Sequence, residues 1–131
     1  MTVLVVGMLG GCGGASEEAS APEPVTGAPK QVAKAVSDLE RATVKRDFDA
    51  ICDELFSSDA RARAGGDDCA ASLGEDADGV RAPRIQLLSI RIDGQRASVR
   101  VRTSAASQPS VDETIELVRE DGRYLIAALG G

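Results

Sequence analysis

Arg96-Ala-Ser-Val-Arg-Val-Arg-Thr103 alternates without a break. Ala97, Val99, Val101 and Thr103 fall on one side, and Arg96, Ser98, Arg100 and Arg102 on the other. A period of two predicts a strand with one face on a core and the other in water, the pattern of an antiparallel sheet. Just upstream, Asp93-Gly94 is a hairpin signal, preceded by the β-rich run Ile85 to Ile92. The apolar phase of that run changes at Leu87-Leu88, which predicts a bulge. Downstream, Ser104 to Ser110, with Pro109, is expected as a loop. Val111 to Arg119 follows as a third strand, and Asp121-Gly122 turns the chain into a fourth, Arg123 to Leu129. Setting Val99 opposite Ile115 places Ala97 opposite Leu117, Arg102 opposite Asp112 and Ser98 opposite Glu116. Apolar and polar faces agree in this register, so the arginine row reads as a solvated, cross-strand paired face rather than an anion site.

The residues before this sheet follow helical spacing. Val32, Val36, Leu39 and Thr43 share one face, with Ala35 and Ala42 beside it. Asp47 is placed to cap a second helix whose inward face holds Phe48, Ile51, Cys52 and Leu55. Ser58 or Asp59 opens a short helix through Ala64, stopped by Gly65-Gly66. Asp67 is then expected to cap a last turn holding Cys69, Ala70 and Leu73. Helices followed by a four-stranded antiparallel meander make an α+β plan, with the sheet curved around the first helix.

Composition narrows the function. The 131 residues carry a net charge of −6 and no histidine, and the aromatics are Phe48, Phe56 and Tyr124 alone. An acidic chain lacks the basic footprint of a nucleic-acid binder. It also lacks the exposed rings that stack on bases. Without histidine, the Ser-His and Cys-His nucleophile pairs and the commonest metal ligand are gone. Asp67, Asp68, Glu75, Asp76 and Asp78 cluster, but without the spacing of a calcium loop. No cofactor and no metal is expected.

The N-terminus gives an address. Thr2 to Leu9 is apolar but too short to span a bilayer as a helix. A nucleotide-binding start is a poor fit, because Gly11-x-Gly13 runs on to Ser16 and into a segment with no apolar helical face. A tail with an incidental cysteine is a second reading. Leu9, Gly10, Gly11 and Cys12 resemble the bacterial lipobox, in which the cysteine thiol receives a lipid and becomes the first mature residue. The expected organisation is a signal peptide over residues 1–11, a lipidated Cys12 and unstructured tether over 12–29, and a folded domain over 30–131. The first nine residues lack the basic start of a signal peptide, so the true start is expected upstream. The implied location is extracytoplasmic, with the chain anchored to the cell membrane. If Cys12 carries lipid, Cys52 and Cys69 remain, as a disulfide that an exported compartment permits or as two buried thiols.

Three short stretches carry a family resemblance: Arg46-Asp-Phe-Asp-Ala-Ile-Cys52, Asp68-Cys-Ala-Ala-Ser-Leu73 and Glu120-Asp-Gly-Arg-Tyr-Leu-Ile126. Their order after a long helix resembles the NTF2-like (SnoaL-like, cystatin-like cone) superfamily, particularly its small envelope lipoproteins. The resemblance implies a cone with a pocket drawn from Phe48, Tyr124, Val99 and Ile115. Many members insert a strand pair between the second and third helices. Residues 57–66 are too short and too helical for one, which limits the depth of the pocket. Enzymes of the superfamily use a polar dyad, such as Asp with Tyr or Asp with His. Here Tyr124 stands where the family keeps a core aromatic, while Asp112 and Glu113 lie within reach of a pocket mouth. The expected function is therefore a non-catalytic binding or assembly module, anchored through its N-terminal lipid, whose partner is an envelope protein or a small apolar ligand. A carrier or sensor of such a ligand is the next reading, and an isomerase- or cyclase-like enzyme the third. An enclosed apolar cavity favours the carrier, and a carboxylate beside Tyr124 favours the enzyme. A filled cone with an exposed apolar patch favours the partner-binding module.

Overall fold

The computed structural model describes residues 27–130. The lipobox at Leu9, Gly10, Gly11 and Cys12, and most of the tether, lie outside them. Helix α1 spans Gly27–Lys45, so it takes in Gly27, Ala28 and Pro29, assigned above to the tether. Pro29 sits in the first turn, where a missing N–H has no intrahelical acceptor to disappoint. Val32, Ala35, Val36, Leu39 and Ala42 form the buried face of α1. Arg46 ends it in a left-handed conformation at φ 57°, and the Asp47 amide donates to the Ala42 carbonyl at 2.8 Å.

Asp47 caps α2, Phe48–Ala50, its carboxylate accepting from the Ala50 amide at 3.2 Å. The helix then widens into a π turn, Ile51–Leu55. Phe56 leaves it extended and forms a parallel bridge with Ile126, and the Ser57 amide donates to the Ile126 carbonyl at 2.8 Å. That contact ties the helical layer to the far edge of the sheet. Ser57 next caps α3, Ser58–Arg63, by accepting from the Ala60 amide. Gly65, at φ 122°, turns the chain where an added Cβ would meet the Asp68 backbone at 3.2 Å. The capping role expected of Asp67 is not taken up. Gly66–Asp68 is a 3₁₀ turn, and α4, Cys69–Asp76, starts without a side-chain cap. Asp67 is solvent-exposed and reaches only Arg61, at 3.9 Å.

The four strands are β1 Arg84–Asp93, β2 Arg96–Ala105, β3 Gln108–Glu120 and β4 Arg123–Ala128. They pair antiparallel in sequence order. Val99 faces Ile115, Ala97 faces Leu117, Arg102 faces Asp112 and Ser98 faces Glu116, in the register set by the alternation. A bulge interrupts β1 between Leu87 and Ser89. The expected loop Ser104 to Ser110 is mostly strand: Ala105 pairs with Gln108 across a two-residue turn. Pro109 falls in the irregular stretch between the Thr103–Val111 and Ala105–Gln108 pairs, where the absent N–H breaks no ladder bond.

One core joins both layers. Val32, Val36 and Leu39 of α1 cluster with Val99, Val101, Ile115, Leu117 and Ile126 of the sheet, none more than 5% exposed. Glu40 of α1 accepts from the Ile85 amide at 2.7 Å, binding the helix to the start of β1. Cys52 and Cys69 are joined by a disulfide, with Cα atoms 6.1 Å apart and both side chains buried. It staples α4 onto the π turn.

Candidate functional site: the cone mouth

The inward positions of β3 are Val111, Glu113, Ile115 and Leu117, which face Thr103, Val101, Val99 and Ala97 of β2. Past Ile115 the core opens into a cavity of about 210 Å³. Leu39 from α1, Ile85 from β1, Val101 from β2, Ile115 from β3 and Leu129 after β4 give it apolar walls. Its polar groups are Thr43, Thr103 and Glu113.

Two of the three are internally committed. The Thr43 hydroxyl donates to the Leu39 carbonyl at 2.7 Å. The Thr103 hydroxyl donates to Glu113 Oε2 at 2.7 Å, with the Val111 carbonyl a longer alternative at 3.3 Å. Glu113 is thereby held by one oxygen. No ion pair to it is formed among the described residues. Oε1 lies 3.7 Å from where a Cβ on Gly130 would stand, so the backbone after β4 passes beside that oxygen.

The residues expected to form a pocket are dispersed. Ile115 lines the mouth. Val99 is fully buried in the packed core. Phe48 packs beneath the Arg46 guanidinium, 5.3 Å from its ring centroid, and against α4, where a Cβ on Gly74 would touch its ring at 3.7 Å. Tyr124 is 6% exposed and lines a different cleft of about 290 Å³, between α1 and the β3–β4 turn, together with Lys34, Asp38 and Arg123. Arg119 lies over its ring at 5.9 Å. Leu39, Thr43, Thr103 and Leu129 were not picked out as pocket residues. Glu113 carried the available signal: it is a charged residue in an inward, otherwise apolar run on β3.

The opposite face of the sheet is paired. Arg102 holds Asp112 through two bonds, at 2.7 and 3.2 Å, and Arg100 stands 3.9 Å away. Hydrogen bonding from Arg102 holds the Asp112 carboxyl below its ordinary value, and the same contact raises Arg102. Ser98 donates to Glu116 at 2.6 Å. On α1, burial alone would raise Asp38, but bonds from Lys34 and Arg41 outweigh it and the carboxyl is lowered. No group of three or more metal-ligating side chains occurs among the described residues.

No family profile matches this sequence, and no curated protein does. Solved structures match it in shape. One is an NTF2 protein, Rd1NTF2_05, carrying five substitutions. It is 17% identical and superposes with a TM-score of 0.58 over 76% of this chain and 94% of its own. An NTF2-like protein of unknown function from Shewanella baltica is 17% identical, with a TM-score of 0.55 over 76% and 88% of the two chains. A Campylobacter jejuni protein, described as a candidate NTF2-like transpeptidase, is 18% identical, with a TM-score of 0.52 over 78% and 99%. The fold is the NTF2-like cone.

Proposed function

We propose that this NTF2-like cone is a non-catalytic binding module, held at the outer surface of the cell membrane by a lipid on Cys12. The observation that carries the binding reading is the open mouth, whose apolar walls end at Glu113, its Oε1 without a hydrogen bond among the described residues. Apolar walls with a few placed polar groups are the usual make-up of a small-ligand site. The volume, about 210 Å³, suits a compact ligand. Glu113 and Tyr124 line separate cavities, and Asp38, which shares the Tyr124 cleft, is tied up by Lys34 and Arg41, which weighs against an acid–tyrosine dyad. A transpeptidase role, as described for the Campylobacter jejuni relative in shape, would need a nucleophile at the mouth. The Thr43 hydroxyl is bound to a carbonyl, and the Thr103 hydroxyl, though it donates to the Glu113 carboxylate, has no third group holding that pair in a triad among the described residues.

The location rests on Leu9-Gly10-Gly11-Cys12 and is supported by the Cys52–Cys69 disulfide, a bond suited to an oxidising compartment. Assembly with an envelope protein is a second use of the same region. It is favoured by Leu129, 49% exposed on the mouth lining, and by Val111, 51% exposed opposite Thr103.

Both parts can be tested in the native host. The Cys12→Ser chain should leave the membrane fraction and appear in the medium, and an unchanged membrane fraction would overturn the anchor. For binding, purified full-length chain is incubated with a small-molecule extract, separated from free compounds and analysed by mass spectrometry. The unaltered chain is expected to retain a compound that Thr103→Phe, which fills the mouth, does not. Equal recovery from both would place binding elsewhere.

A further inference from the structure

We propose that the cone mouth selects a small ligand bearing one ammonium group on a compact apolar body, with Glu113 as its counter-ion. The inference rests on the mouth being the binding site and goes further by naming the ligand class. Some carboxylates of this domain have firm partners, while others, such as Glu116 with only the Ser98 hydroxyl on the outer face of the sheet, do not. Asp112 is gripped by Arg102, Asp38 by Lys34 and Arg41, and Glu40 by the Ile85 amide. Glu113 has only the neutral hydroxyl of Thr103, and no cation within ion-pair distance among the described residues.

Glu113 is half-buried on a wall it shares with Val101, Ile115 and Leu129, so an ion pair made there is partly screened from water. A ligand ammonium restores the missing partner through a charge-assisted hydrogen bond. Thr103 fixes Oε2, so the carboxylate is oriented before the ligand arrives. An anionic ligand would meet like charge at that point. A neutral one would gain no ion pair there. The chain's net charge of −6 favours the encounter with a cation in the same sense.

Three probes of nearly equal shape separate the possibilities: cyclohexylammonium, cyclohexanol and cyclohexanecarboxylate. Each is titrated into the full, oxidised chain at moderate salt while backbone amide resonances are followed. Cyclohexylammonium is expected to give saturable shifts at Thr103, Glu113 and Leu129, with cyclohexanol weaker and the carboxylate silent. Glu113→Gln keeps the shape and the Thr103 contact. It should weaken cyclohexylammonium about tenfold or more and bring it level with the alcohol. Thr103→Val leaves the charge but frees its orientation, and should weaken the amine by less. If alcohol and amine bind the mouth equally in the unaltered chain, the ammonium class is wrong and the binding site stands. If no probe shifts these amides, the mouth itself is wrong. Amine shifts confined to the acidic stretch 67–78 would mean unspecific charge attraction and would overturn the proposal. The three-probe comparison on the unaltered chain decides the ligand class even if a variant misfolds.

Discussion

Ser57 is the buried polar side chain of the described core, 2% exposed, and it serves two elements at once. Its amide bonds to β4 and its hydroxyl caps α3. Ser57→Ala should cost about 1–2 kcal/mol, since it strips a helix cap in a buried setting. A urea midpoint unmoved from the parent would refute that role. Leu117, with no exposed surface, sits where β2, β3 and β4 meet, and Leu117→Ala should lose about 2–5 kcal/mol in the same assay. The disulfide closes a separation of 17 residues. Replacing Cys52 and Cys69 together by alanine should lower stability by about 3 kcal/mol. Cysteine arithmetic and the inward stripe holding Cys52 pointed to the pair, with two buried thiols as the open alternative that the disulfide closes. The mouth was less legible, because Leu39 and Val101 carry the same apolar signal whether they fill a core or border a cavity. Glu113 was readable as an oddity, but its missing cation partner is a property of three-dimensional neighbours.

Among the elements, the β2–β3 register followed from sequence because two independent patterns, apolar inward and charged outward, demanded the same offset. The β2–β3 connection did not. Ser, Gln and Pro at 107–109 carry loop chemistry, yet the strands continue to a two-residue turn because the bulge absorbs the proline. The π turn at Ile51–Leu55 was equally hidden, since Phe48, Ile51, Cys52 and Leu55 make one stripe in either helical form. The β3–β4 turn was plain: Asp121 and Gly122 are both left-handed, at φ 51° and 78°, as a tight hairpin of this kind requires. Gly122→Ala has free space around it but the wrong backbone preference. It should destabilise by roughly 1 kcal/mol, read as a lowered melting temperature. A melting temperature equal to the parent's would mean that the turn relaxes.

Across the whole molecule, charge is divided unevenly. The helical half carries most of the acids, while every basic residue from Arg81 onward is an arginine. Asp38 and Asp112 both titrate below the ordinary value of 3.8 in the folded protein. A carboxyl lowered on folding adds stability above its unfolded pKa, and that contribution is lost as pH falls through the folded one. Unfolding free energy should therefore decline below about pH 4. The Asp38→Asn, Asp112→Asn double variant should start lower at pH 6 and decline less. Parallel curves for variant and parent would show that these pairs do not govern acid sensitivity. The centre of the cone is filled by its core, so the function proposed depends on the mouth beside Glu113.

The most direct test of that dependence is native mass spectrometry of the protein purified gently from its own host. A one-to-one non-covalent adduct is expected, with a basic, low-mass ligand, and it should be absent from the Glu113→Gln chain. A protein that flies bare, or an adduct that Glu113→Gln retains in full, would contradict the account.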